Sequence, residues 1–395
     1  MTRDVWRCLV ADRRVLSRAI ATALAAGAFT IAVRRGDPQI ATQHRDLVDW
    51  PRAEAVAQLA AGRGGVPDRD AQSRYEACVE HSHGLIHTYT RIPAQHIVGR
   101  VRAVDRAAWI SANIGTFRSF VAPLSGHFGR STLVRPGAMH EINRLALTSQ
   151  IGILLGYLAR RVLGQYDSTI FAAEPERPGW LYFVDPNIDE TCQRLRLDSG
   201  DFRQWVALHE TTHAIQFEGV PWLRGYLRTL IENYVDSMTS DRILAGPSMW
   251  DVPRLIVRLR RAVPRRHLGL EALLSTEQRA MFRRVQALMC VVEGHGNHVM
   301  DAVGARVLRT YPWMKARLAE RRANPGRAER VLARITGLNV KLEQYALGER
   351  FFAAVAGRRG VDAAHRVFDE PRNLPDLDEI ANPDRWIDRV IPRAA

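Results

Sequence analysis

Apolar residues recur at helical spacing along most of this chain, and proline and glycine cut the pattern into segments. After a polar linker from Arg35 to Arg45, helical segments dominate to about residue 165, broken near Pro93, Pro123 and Pro136. One stretch departs from the helical period. Trp180-Leu181-Tyr182-Phe183-Val184, rich in aromatic and β-branched residues and ended by Asp185-Pro186-Asn187, reads as a β-strand. Helices resume from Asp201 to about Gly357, and the tail with Pro371, Pro375 and Pro383 reads as an ordered loop ending in a short helix at Trp386. The predicted fold class is α+β, mostly α-helical, with a small β element.

The helix that follows the strand carries the candidate chemistry. Asp201 is its predicted N-cap, with Gln204 three residues later in the capping-box position. Trp205, Val206, Leu208, Ile215 and Phe217 supply the apolar rhythm, and Gly219 and Pro221 mark the end. The helix is expected from about Phe202 to Glu218. It contains His209-Glu210-Thr211-Thr212-His213. Residues four apart lie on one helix face, so both imidazoles can converge on one metal ion. Glu210 then sits beside the vacant coordination position, where it can take a proton from metal-bound water. The bland alternative is two ordinary histidines, one satisfied by hydrogen bonds and one on the surface; the helical context disfavours it.

A four-coordinate catalytic zinc needs a third protein ligand. Glu293 is the leading candidate, in a stretch flanked by the apolar runs Val285 to Val292 and Val299 to Leu308, which reads as the middle of a buried helix. Its rivals are His295, His298, Asp301 and Asp236, and a buried acid paired to arginine is the non-metal alternative. His83 and His87 also stand four apart, but no carboxylate is placed there as Glu210 is, and Gly84 weakens the helix.

Resemblance narrows the choice. The metzincin continuation fails, because it requires Gly and His where this chain has Gln216 and Gly219. Glu293 with Asn297 resembles the Glu-x-x-x-Asp element of gluzincins, in which Glu binds zinc and Asp orients a ligand histidine. Asn297 would keep an acceptor there without the negative charge. The run Trp205 to Arg224 is similar to an actinobacterial family of zincin-like proteins, whose members go by zinc-dependent metalloprotease or coenzyme F-420 biosynthesis-associated protein. Val48-Asp49-Trp50, Gly156-Tyr157-Leu158, Val162 to Asp167, Leu181 to Ile188, Glu293-Gly294-His295 and Lys341 to Tyr345 extend the likeness from about residue 45 to 390. This chain has Gly296-Asn297 where members carry Ala and an acidic residue.

The resemblance implies a zincin-like metallopeptidase fold and a zinc hydrolase. Zn(2+) would be held by His209, His213 and Glu293, with Glu210 as general base and Tyr345 or His295 stabilising the oxyanion. Peptide hydrolysis is the reaction class by analogy, and a peptide or protein the substrate. The alternative is a non-proteolytic binding or accessory protein associated with deazaflavin coenzyme metabolism.

Composition adjusts this picture little. With 46% hydrophobic and 25% charged residues the chain can bury a sizeable core. The net charge of +14 comes almost wholly from arginine, Lys315 and Lys341 being the only lysines. The densest basic run, Arg254 to His267, lacks interleaved aromatics and reads as a solvated helix face; no specific nucleic-acid partner is predicted. Cys8, Cys78, Cys192 and Cys290 form no paired-spacing motif, which suggests free thiols in a reducing compartment. Ala19 to Val33 is apolar but alanine-rich and shorter than the roughly 20 residues of a membrane span. The expected organisation is residues 1–45 as an apolar helix and linker and 46–395 as the hydrolase domain. The expected location is the cytoplasm, with membrane association through residues 19–33 as the less favoured alternative.

Overall fold

A computed structural model describes residues 47–93, 100–128, 138–167, 179–240, 275–324 and 338–391. The apolar N-terminal stretch and the basic run at 254–267 lie outside them. The described chain is mostly helical with a small sheet, as its periodicity predicts. Two compact units divide it.

The first unit is built from α1 (Trp50–Ala61), α3 (Arg106–Phe128) and α4 (Ala138–Ala159). Asp49 caps α1, its carboxylate accepting from the Arg52 amide at 3.2 Å, while its own amide donates to Thr148 Oγ1 at 3.0 Å. The α1 face of Ala53 and Ala57 meets Gly152 and Gly156 of α4. A Cβ at Gly152 would stand 2.7 Å from the Ala53 carbonyl oxygen, and one at Gly156 2.5 Å from that of Ala57. Small residues on both helices therefore let the backbones approach. Arg106 Nε donates to Asn187 Oδ1 at 2.7 Å, and Asn187 Nδ2 donates to the carbonyls of Ala159 and Val162, so this buried polar pair is satisfied.

The second unit holds α2 (Ala71–Thr90), most of the sheet, and the chain from Ile188 onward, which takes in α5 (Asp185–Leu195) after its first three residues. Three strands, β1 (Val101–Val104), β2 (Gly164–Asp167) and β3 (Trp180–Val184), lie in the order β1-β3-β2. β2 pairs antiparallel with β3, Gly164 opposite Phe183 and Asp167 opposite Trp180. The predicted strand at 180–184 is thus the central one. The two edge strands, β1 and β2, are the difference from the expectation of helical segments up to about residue 165.

Two helices organise this unit. α6 spans Ser199–Gly219 and begins three residues before the predicted start. Its N-cap is Asp198, whose carboxylate accepts from the Asp201 amide at 2.8 Å. Asp201 instead accepts from the backbone and hydroxyl of Thr310, a long-range partner invisible to local capping rules. Gly219 closes the helix where predicted, and a Cβ there would stand 2.1 Å from the Pro93 carbonyl oxygen. After α7 (Leu223–Ser240), α8 runs unbroken over Thr276–Val307 behind a Ser275–Gln278 capping box. α8 packs on α6 and on α10 (Leu338–Arg359), the short helix α9 (Tyr311–Ala323) lying between in sequence. The α8–α10 crossing is a glycine contact: a Cβ at Gly294 would stand 2.4 Å from the Gly348 carbonyl carbon, and one at Gly348 2.0 Å from the Cys290 oxygen.

Candidate metal centre

α6 and α8 bring three ligand-type side chains together. His209 Nε2 and His213 Nε2 face each other at 3.1 Å, and Glu293 Oε2 stands 3.7 Å from the first and 3.8 Å from the second. Among the described residues they are the group of histidine, cysteine or acid side chains that converges closely enough to hold a metal ion. Two nitrogens on one tetrahedral zinc stand ~3.3 Å apart, so the imidazole pair fits with almost no adjustment and Glu293 with a small rotation. Glu293 and His209 are each 23% exposed and His213 only 10%, so the cluster opens to solvent on the Glu293 and His209 side.

The rival ligands lie elsewhere. His298 Nε2 bonds Tyr89 Oη at 2.9 Å, and Asp301 pairs with Tyr311 and Lys315. Asp236 sits on α7 outside the group. His83 and His87 stack along α2, ring centres 6.5 Å apart, with no third ligand among the described residues.

Glu210 occupies the position expected of a base beside the ligands, held by a strand that sequence reasoning missed. Its Oε2 accepts from the Tyr166 amide of β2 at 3.0 Å. A Cβ at Gly164 would stand 2.6 Å from Glu210 Cγ, so glycine at this point of the edge strand makes room for the side chain. Burial pushes the Glu210 carboxyl up to about 7; His213 opposes the rise, Glu293 adds to it, and the Tyr166 N–H opposes it. The Tyr166 ring runs on along α6, its hydroxyl donating to Glu218 Oε1 at 3.0 Å and accepting from Arg224 at 3.0 Å. Arg100 grips the same Glu218 with two bonds of 2.6 and 2.7 Å. This clamp locks β2 against the helix that bears the ligands.

Two expectations about supporting residues require correction. Asn297 does not orient a ligand: among the described residues its side chain bonds neither imidazole. The acceptor behind His213 is Gln216, whose Oε1 lies 2.9 Å from His213 Nδ1. It sits three residues on along the same helix, within direct reach, a spacing that could have revealed it. His295 is not an oxyanion donor either. It is completely buried behind the metal cluster, its ring against Phe368, Phe352 and His365 at 4.8, 5.2 and 5.3 Å, and so has no route to a substrate oxygen. Burial, with His365, His298 and His213 nearby, holds its pKa well below the ordinary histidine value, so the ring is neutral. Tyr345 lies on α10, but its side chain is outside the described residues.

Gly296 also takes on a reason. A Cβ there would stand 3.2 Å from His213 Cε1 and 3.6 Å from His209 Cε1. The missing side chain leaves the two rings room over α8.

Two histidines one turn apart on one helix, a carboxylate from a second helix and a buried glutamate held against an edge strand form a group that could hold a metal ion with an acid beside it. A family model for zincin-like metallopeptidases matches residues 48–387, and the chain belongs to that family, which implies a metal ion at this site. A crystal structure described as a "putative hydrolase with a novel fold from Chloroflexus aurantiacus" is 36% identical, with a TM-score of 0.65, covering 88% of this chain and 100% of that one. No curated protein matches significantly. The family match supports a metallohydrolase in general and carries no link to coenzyme F-420.

Proposed function

We propose that this protein is a zinc-dependent metallopeptidase of the gluzincin type, with His209, His213 and Glu293 as zinc ligands and Glu210 as general base. The observation that carries the reading is the convergence of those three ligands with Glu210 beside them. A set of two imidazoles and one carboxylate suits zinc, which when bound supplies a Lewis acid and lowers the pKa of water to about 7. Glu210 takes the proton of the attacking water and returns it to the leaving amine. Its Oε2 stays anchored on the Tyr166 amide meanwhile, and Oε1 does the transfer. A carboxyl that burial raises toward neutrality suits a group with both duties.

A peptide or protein is the proposed substrate because β2 is the sheet's edge. Its outer side has no strand partner among the described residues, so backbone groups other than the Tyr166 amide, which Glu210 takes, are proposed to pair with an extended chain. Tyr345, one turn before the Gly348 crossing, is the group proposed to meet the oxyanion.

The test is metal analysis of the purified protein with hydrolysis of a broad peptide library, comparing wild type with Glu210→Gln, His213→Ala and Glu293→Gln. Wild type should hold one zinc and cut peptides. Glu210→Gln should keep the zinc and lose about 10²- to 10⁴-fold in rate, and the two ligand variants should lose both. Zinc-free wild type refutes the reading. Zinc without cleavage of any peptide would turn it toward a non-proteolytic accessory protein.

A further inference from the structure

Gln216 has every polar atom of its side chain committed, and the commitments are directional. It is completely buried on α6, three residues after His213. Its Nε2 lies 3.0 Å from the Val292 carbonyl oxygen and 2.8 Å from His295 Nδ1, and its Oε1 lies 2.9 Å from His213 Nδ1. A backbone carbonyl can only accept, so the amide nitrogen must face Val292. That settles which end of the amide is which, and the oxygen is left facing His213. An amide oxygen can only accept, so the proton of His213 sits on Nδ1. The Nε2 lone pair is then free to point at His209 and Glu293, into the metal cluster.

We propose that Gln216, held in register by the Val292 carbonyl and His295, is the positioning residue that presets His213 as a metal ligand. The inference rests on His209, His213 and Glu293 being the ligands. It replaces the acidic residue expected on α8 with a neutral amide on the ligand helix itself, three residues from the histidine it serves. The same amide spans the two helices that supply the ligands, because Val292 and His295 flank Glu293 on α8. His295 thereby belongs to the back of the metal centre, where its Nδ1 accepts the second amide hydrogen.

Gln216→Leu and Gln216→Glu separate this role from ordinary packing. Leucine removes the acceptor for His213 Nδ1–H together with the tie to Val292. Glutamate, charged or neutral, still accepts from His213. Zinc affinity is read by chelator competition, the fold by melting of the metal-free proteins, and ligand geometry by the visible spectrum of the cobalt(II) forms. Gln216→Leu is expected to lose about 10- to 100-fold in zinc affinity, with an altered cobalt spectrum. Gln216→Glu is expected to stay within a few-fold of wild type, even where its metal-free form melts lower. Equal losses in the two variants would overturn the proposal, as would wild-type affinity in Gln216→Leu. If Gln216→Leu does not fold, ¹⁵N spectra of metal-free wild type decide: His213 protonated on Nδ1 supports the proposal, and on Nε2 overturns it. A wild type that binds no zinc would instead sink the metal-centre reading, a distinct result.

Discussion

Gly164→Ala isolates the placement of the general base from metal binding. The added Cβ would stand 2.6 Å from Glu210 Cγ and 3.1 Å from both Cδ and Oε1. Ordinary carbon contacts lie at about 3.5–4.0 Å, so relief requires a shift of about 1 Å. Glu210 has little freedom to give: its carboxylate is buried and fixed to the Tyr166 amide two residues along the same strand. β2 is equally constrained, paired to β3 on one side and clamped through Tyr166 to Glu218. Misplacement by 1 Å can cost about 10²-fold in rate, and that is the expected loss in kcat/KM on a peptide the wild type cleaves. The overpacking cost of about 1–3 kcal/mol is partly offset by about 0.4–1 kcal/mol from the less flexible unfolded chain, so the variant should fold. His209, His213 and Glu293 are untouched, and zinc affinity should remain within a few-fold of wild type. Peptide turnover and chelator competition on the same preparation check both halves. Wild-type turnover in Gly164→Ala would refute the argument, and so would loss of zinc in proportion to activity.

Gly348→Ala should destabilise the fold, because its Cβ would meet the Cys290 carbonyl oxygen at 2.0 Å where α8 and α10 cross. An overpacking cost of about 1–3 kcal/mol exceeds or cancels the ~1 kcal/mol gain in helix propensity; a raised urea midpoint would contradict the crossing. The Cys192 and Cys290 thiols should be inert in the native protein at pH 8: burial pushes Cys290 up to about 12 and Cys192 up to about 11. Peptide mapping after brief maleimide treatment should find both modified only when denaturant is present. Zinc should raise the melting temperature, since a ligand at about 1,000 times its Kd adds about 4 kcal/mol to the folded state; His213→Ala should abolish that rise.

The parts of the site that could be read from sequence are those encoded on long, strongly periodic helices. α6 and α8 announce themselves by apolar spacing, and the facing of His209 and His213 follows from their places one turn apart on α6, whereas the choice of Glu293 over His295, His298, Asp301 and Asp236 rests on resemblance. What escaped lies in short or long-range features. β2 is four residues, Gly164 to Asp167, without apolar alternation, so nothing local marks it as a strand. The start of α6 was misplaced because Asp198 and Asp201 are both good caps, and the choice between them is made by Thr310, more than a hundred positions away. His295 beside Glu293 suggests chemistry, and only the packing of Phe352 and Phe368 on its ring shows that it faces inward.

On the proposed function, the departure at Gly296-Asn297 from the resembled pattern concerns how the site is tuned. A carboxylate behind a ligand histidine raises the basicity of the ring; an amide orients the ring with less charge. On the proposed ligand set, Gln216 aims His213 as a neutral acceptor. Glycine at 294 and 296 gives up about 1 kcal/mol of helix propensity at each position. In return Gly294 lets α10 lie backbone to backbone against α8, and Gly296 leaves space for both imidazoles. Alanine at 296 would press on His213 Cε1 at 3.2 Å, on the ring that Gln216 orients. Gly296 and Gln216 thus act on the same imidazole from two helices, one by leaving space and the other by fixing its proton. Asn297 belongs to neither contact.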